Sequence, residues 1–356
     1  MKDIAAFYEW GKMVHWILIA FGCIMAFVAL SKKQLIKPST NTFAMTLVLA
    51  VIMVIFIGLY PIPYGSGGDR EMYFHRFVQA ETMQHFVEPN KDVGFAWLTF
   101  VLSRVCDLTC FFIVLACIYV SNYVWACKRL SPQGCFWLLT AVVLSMGFVS
   151  YGMNTLRAGL ALSLVLVGMT YQSDKIKMGL FLLVATFIHF STIIPILMIV
   201  LTYFYKNTNT YLKIWLLAVI VSFVAGDYFN HLFQDFSDDA RTGYLTQVNN
   251  NYRVGFRVDF IVYSVIPIII GLYYKRRMLN VDRFYSHLLN AYIMTNVFWV
   301  LVIRANFSDR FAYLSWFMIP FVLVYPLLKD KPVVKSPARW LAAIFAGDVA
   351  FMLLFG

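Results

Sequence analysis

Long apolar runs, separated by short polar breaks, repeat along almost the whole chain. They fall at about 14–30, 42–62, 104–126, 134–151, 156–172, 177–205, 212–226, 259–274, 285–303, 311–328 and 339–355. Most approach the ~20 apolar residues that an α-helix needs to cross a bilayer. Residues 94–103 read as a short helix leading into the third long run. The pattern predicts an all-α polytopic membrane protein of about eleven or twelve spans, with residues 1–356 forming one integral membrane domain. No linker, low-complexity tract or repeat interrupts it. Lys2 and Lys12 precede the first run without a small-residue cleavage site, so it reads as a helix and not as a removed signal.

Composition agrees. The 356 residues are 61% hydrophobic and 13% charged, with mean hydropathy +0.72, too apolar for a soluble fold of this size. A net charge of +11 would suggest nucleic acid in a soluble protein. In a polytopic chain it reflects the lysine and arginine bias of cytoplasmic loops plus basic groups elsewhere, and no nucleic-acid partner is expected. The six cysteines sit in or beside apolar runs without metal spacing. They read as small core residues, with neither disulfide nor metal expected.

The segment 177–205 decides the topology. Taken as one helix, it puts Lys275, Arg276, Arg277 and Arg283 opposite the Lys32/Lys33/Lys37 loop. Split near His189 into two short passes, it gathers nearly all the lysines on one side, the cytoplasm by the positive-inside rule, and leaves both chain ends outside. Short passes are tolerated where protein packs around them. Two larger loops, about 63–93 and 227–258, then lie outside.

Arginines mark that outer side: Arg70, Arg76, Arg157, Arg241, Arg253, Arg257, Arg304 and Arg310. Asn154 reads as the cap of a helix that carries Arg157 in its first turn. The cation there opposes the helix dipole at a cost of a few tenths of a kcal/mol. Arg253 and Arg257 precede the run 259–274, and Arg310 opens the run 311–328. A helix N-terminus with a guanidinium beside it suits a phosphate, through unpaired N–H groups and a bidentate fork. The plainer reading is snorkelling to headgroups, or pairing with Asp259 and Asp309.

His189 lies in Phe187-Ile188-His189-Phe190-Ser191, inside an apolar stretch, where an ionisable group is a functional candidate. It could act as a general base or be a satisfied structural histidine. Asp69 reads as the N-cap of an amphipathic interfacial helix running to about Phe86, with Tyr73, Phe74, Phe77 and Val78 on one face. Tyr73 in the first loop and Tyr252 in the second are candidate sugar-stacking rings. Arg104 and Asp107, one turn apart in mid-span, read as neutralising each other.

An ordered set of patches follows these residues. They are Gly68-Asp69 through Tyr73, Glu88-Pro89 with Gly94-Phe95, Leu156-Arg157-Ala158-Gly159-Leu160-Ala161, Phe187 to Ser191, Gly255-Phe256-Arg257-Val258-Asp259-Phe260, and Asp309-Arg310-Phe311. In these patches, across roughly residues 60–325, the chain resembles the EpsG-like family of Wzy-type polysaccharide polymerases. That resemblance implies a GT-C-like membrane glycosyltransferase of the bacterial inner membrane, with its site facing the periplasm. It passes a growing glycan from undecaprenyl pyrophosphate to the outer sugar of a newly flipped repeat unit, and needs no cofactor. Lipid-linked repeat units, membrane lipid, a chain-length regulator and a flippase are the implied partners. His189 is the first choice for the base and Asp69 the second; Arg157, Arg257 and Arg310, supported by Arg253, are assigned to the pyrophosphate. An O-antigen ligase or a lipid-linked oligosaccharide transporter would use similar groups. A transporter, however, should carry its charges through the midplane, whereas here they gather at helix ends.

Overall fold

The computed structural model describes residues 2–36, 42–65, 68–234, 255–278, 282–305 and 308–355. Among them every regular element is a helix, because in lipid only a helix or a closed barrel pairs each backbone polar group within the chain. The protein is an all-α polytopic membrane protein. Six described helices are long and apolar enough to cross a bilayer, and a bent pair makes a seventh. The remaining apolar runs form shorter helices, such as Thr42–Gly58 and Leu156–Met169.

The chain divides into two compact units. The first holds residues 1–192 and 324–356. Its helices are α1 (Lys2–Ser31), α2 (Thr42–Gly58), α3 (Asp69–Thr82), α4 (Val93–Val105), α5 (Leu108–Leu130), α6 (Cys135–Leu144), α7 (Met146–Met153), α8 (Leu156–Met169) and α9 (Lys175–Ile188). The chain's last helix also belongs to it. α2 and α8 both pack on α5, α8 also packs on α9, and α3 lies against α4. Every residue of α6 is buried. α6 and α7 meet at a bend of 73° at Ser145, so the run 134–151 is broken and not one straight span.

The second unit holds residues 193–323, with α10 (Ile193–Phe204), α11 (Thr208–Gln234), α12 (Val258–Arg277), α13 (Arg283–Leu301) and α14 (Ser308–Trp316). α11 and α10 pack on α13, which also carries α14. Part of its polar interior is paired internally, although Thr295 Oγ1 and Trp299 Nε1 are buried without a hydrogen-bond partner among the described residues. Trp215 Nε1 donates to Asn296 Oδ1 at 2.7 Å, Asn296 Nδ2 to Ser315 Oγ at 3.1 Å, and Trp316 Nε1 to Ser264 Oγ at 2.8 Å. The helices α15 (Ile319–Val324) and α16 (Pro337–Phe355) complete the chain.

Several boundaries differ from expectation. The third run splits at Cys106–Asp107, because Asp107 accepts from Cys110 N at 2.8 Å and caps a new helix. Arg104 and Asp107 therefore do not neutralise each other. The Arg104 guanidinium donates instead to the carbonyls of Glu81 and Met83 at the end of α3. Asn154 closes α7, and Thr155 holds the N-cap position of α8 without a side-chain bond. Asp69 is the first residue of α3, after Gly68. The run 177–205 does break at His189: α9 ends there, and a 3-10 turn at Phe190–Thr192 leads into α10.

Candidate functional site

Two of the expected residues meet on a third that sequence reasoning did not single out. Asp92 stands just before α4 with φ 58° and ψ 37°, a left-handed conformation that Asp tolerates better than most residues. The turn carries its carboxylate to the C-terminal end of α9. Two residues on, a Cβ at Gly94 would lie 3.0 Å from the Phe187 carbonyl carbon, so any larger residue would have to push the Phe187 backbone by a few tenths of an ångström. Asp92 Oδ1 accepts from Phe190 N at 2.8 Å. Its Oδ2 faces His189 Nδ1 at 3.2 Å and also pairs with Arg157 Nη1.

The cluster is enclosed, with side-chain exposures of 6% for Arg157, 9% for Asp92 and 14% for His189. Burial alone would raise the Asp92 carboxyl. The His189 contact, the Arg157 charge and the Phe190 N–H outweigh it and hold the group down at about 2. Asp92 is therefore ionised at neutral pH. Among the described residues, the Nε2 of His189 has no hydrogen-bond partner.

Arg157 sits in the first turn of α8, as expected. Its backbone N donates to the Tyr73 hydroxyl at 3.4 Å, and the charge of Asp69 also acts on it. α3 thus brings Asp69 and Tyr73 to the same cluster. Tyr73 itself is only 2% exposed and packs on Phe95 at 5.4 Å between centroids. The expectation that it offers a ring to a sugar is corrected: its ring is core, and only its hydroxyl reaches the site. Val78, expected on the apolar face, is 40% exposed, and Arg70 and Ala80 share the buried face with Tyr73 and Phe77. Two buried polar atoms here lack partners, Arg157 Nε and Thr155 Oγ1. Unsatisfied buried donors in a native fold call for an explanation.

Arg70 does not join this cluster. It is 1% exposed and donates to Gly58 O at 3.0 Å and to Ile57 O and Met153 O at 3.3 Å. These carbonyls end α2 and α7, where the helix dipoles are negative. Its guanidinium also lies 4.0 Å from the Phe112 ring centroid. Burial lowers it to about 9, still charged at neutral pH.

The second unit holds the other expected arginines. Arg257 forks onto Asp259, with Nε to Oδ1 at 2.9 Å and Nη2 to Oδ2 at 2.6 Å, and lies 3.7 Å over the Phe260 ring. Asp309 and Arg310 open α14, and the Arg257 charge also acts on Asp309. The pairing reading thus accounts for Arg257. Arg253, Tyr252 and most of the loop 227–258 lie outside the described residues.

No curated protein and no solved structure matches the chain significantly. The EpsG family model matches residues 43–354, nearly the whole chain. A family match of that extent makes this protein a member of the EpsG family, which suggests in general terms a glycosyltransferase-like polysaccharide polymerase.

Proposed function

We propose that the protein joins undecaprenyl-pyrophosphate-linked repeat units into a polysaccharide, at the periplasmic face of the bacterial inner membrane. The observation that carries this reading is the meeting of Arg157 and His189 on the Asp92 carboxylate. A base and a cation are the two groups this transfer needs. His189 Nε2 takes the proton of the acceptor hydroxyl. The acceptor oxygen bonds to the anomeric carbon of the donor glycan. The bond from that carbon to the pyrophosphate oxygen breaks, and undecaprenyl pyrophosphate leaves with the electron pair.

The leaving group needs positive charge as it departs. Arg157 has five N–H donors, and Asp92 engages Nη1. Its Nε, together with the Thr155 hydroxyl, remains for a phosphate oxygen. In the second unit, Arg310 and Arg253 remain separate candidates for a phosphate on the same chemical grounds, whereas the Arg257 guanidinium is committed to Asp259. Guanidinium groups at helix N-termini supply this charge without calling on a metal. Asp69 is the second choice for the base and acts on Arg157 electrostatically. Tyr252 remains the candidate sugar-stacking ring.

The test is a glycan ladder made by purified protein in detergent from undecaprenyl-pyrophosphate-linked repeat units. The wild type is expected to give a ladder with no metal added, and Arg157→Ala and His189→Ala to give none. A wild type that transfers only to a lipid A core makes the protein a ligase. A wild type that binds substrate without transfer overturns the enzymatic reading.

A further inference from the structure

We infer that Asp92 is the positioning residue of the site: it accepts a hydrogen bond from His189 Nδ1–H and so turns the lone pair of Nε2 toward the acceptor hydroxyl. The inference rests on the reading of His189 as the base.

Three observations carry it. Both carboxylate oxygens are engaged within the protein, by Phe190 N, His189 Nδ1 and Arg157 Nη1. Asp92 therefore acts through its neighbours and not on the substrate. The partner on Nδ1 decides which nitrogen of an imidazole carries the proton, and an ionised carboxylate can only accept. A neutral His189 beside it holds its proton on Nδ1, which leaves Nε2 as the basic atom. Nε2 has no protein partner among the described residues.

The backbone is also shaped for the contact. A non-glycine residue at φ 58°, with a glycine two residues on where a Cβ would press on the Phe187 backbone, is a costly way to end a loop. It brings the carboxylate against the first backbone N–H beyond the His189 cap. The charged and titratable groups that bear on the cluster are Arg157 from α8, Asp69 and Tyr73 from α3, and Lys91 from the same loop, 5.9 Å from the Phe190 ring. Arg157 on Oδ2 keeps the carboxylate ionised, and so keeps it an acceptor.

The test compares kcat and KM for lipid-linked repeat units across three variants of the full-length protein in detergent. Asp92→Asn keeps the left-handed turn accessible and an acceptor for Phe190 N. It can also present an amide N–H to His189 and so favour the wrong tautomer. Its kcat is expected to fall on the order of 10²–10⁴-fold, with KM within about twofold of wild type, as when an orienting carboxylate is removed from a histidine base. A merely structural role would change KM and the folded fraction along with kcat. An Asp92→Asn enzyme with kcat within about threefold of wild type overturns the inference, as does a parallel loss in both constants.

His189→Ala separates the two ideas. If it retains turnover, the base reading fails. If it is inactive while Asp92→Asn is active, only the positioning role fails. Should Asp92→Asn not fold, Gly94→Ala decides. It moves the loop against Phe187 and alters no polar group, so kcat should fall about tenfold at unchanged KM. Full kcat in Gly94→Ala overturns the inference.

Discussion

Replacing Arg70 with methionine should destabilise the first unit by about 3 kcal/mol, a figure built from opposing terms. Two helix ends, each carrying about half a negative charge, face the guanidinium. At ~4 Å and an effective dielectric constant of ~20 their attraction is about 4 kcal/mol. Against this stands the cost of burying the cation. The fall from 12.5 to about 9, driven by burial and partly opposed by Tyr60, corresponds to on the order of 5 kcal/mol. Those two terms nearly offset each other, and methionine removes both. What remains is the fate of the acceptors. Gly58 O and Met153 O lose their donor, while Ile57 O keeps a bond from Tyr60 N at 3.4 Å. Two orphaned carbonyls at about 1 kcal/mol each, plus about 1 kcal/mol for the lost stacking on Phe112, give the total.

The assay is unfolding of the purified protein in detergent micelles, followed by near-UV circular dichroism. Arg70→Lys should lose about half as much, because an ammonium has donors for the carbonyls but no flat face to stack. A methionine variant within 1 kcal/mol of wild type would refute the reasoning. It would mean that water or a shifted helix end satisfies those carbonyls.

Three further outcomes follow from other contacts. The Asp92 carboxyl is held below its ordinary 3.8, at about 2, so its stabilisation is complete above about pH 4 and is lost as pH falls through about 2. Wild-type stability should drop by about 2 kcal/mol across that window, and the drop should be absent from Asp92→Asn; equal pH profiles refute the pairing. Gly159→Ala puts a Cβ 2.9 Å from the Tyr151 carbonyl oxygen and should cost about 2 kcal/mol by forcing α7 and α8 apart, read by the same unfolding assay. Asp259→Asn breaks a partly exposed fork and should cost less than about 1 kcal/mol; a larger loss would show that the pair is structural.

Local pattern and charge were enough for part of this structure. The break at His189 could be read because only two short passes put Lys175, Lys177, Lys206 and Lys213 on one side with Lys275 to Arg283. The pattern also puts Arg157 in the first turn of its helix, although the N-cap position is Thr155 and not Asn154. The split at Asp107 does carry a signal in the sequence, an acidic cap immediately before an apolar run. Asp92 left almost none. Its partners lie 65 and 97 residues away, and its positive φ does not show in the residue type. The only hint was its place between the Glu88-Pro89 and Gly94-Phe95 patches. Arg70 could not be sorted from the phosphate candidates, because a buried helix end and a phosphate call for the same guanidinium.

The described arginines also change what the excess of positive charge means. Arg157 is matched by Asp92, Arg257 by Asp259, and Arg70 by the ends of two helices. An open basic patch attracts anions over a distance that shrinks with the Debye length, ~8 Å at physiological salt. A compensated cluster has little field at that range and works by short, directed hydrogen bonds from the edge of the guanidinium that its carboxylate leaves open. If Arg157 holds the donor pyrophosphate in this way, KM should change less than about twofold between 50 and 500 mM salt, while Arg157→Lys, with no planar fork, should raise it at least tenfold. A wild-type KM that climbs steeply with salt would show that the substrate answers to net charge, and would place its phosphate at a different, uncompensated group.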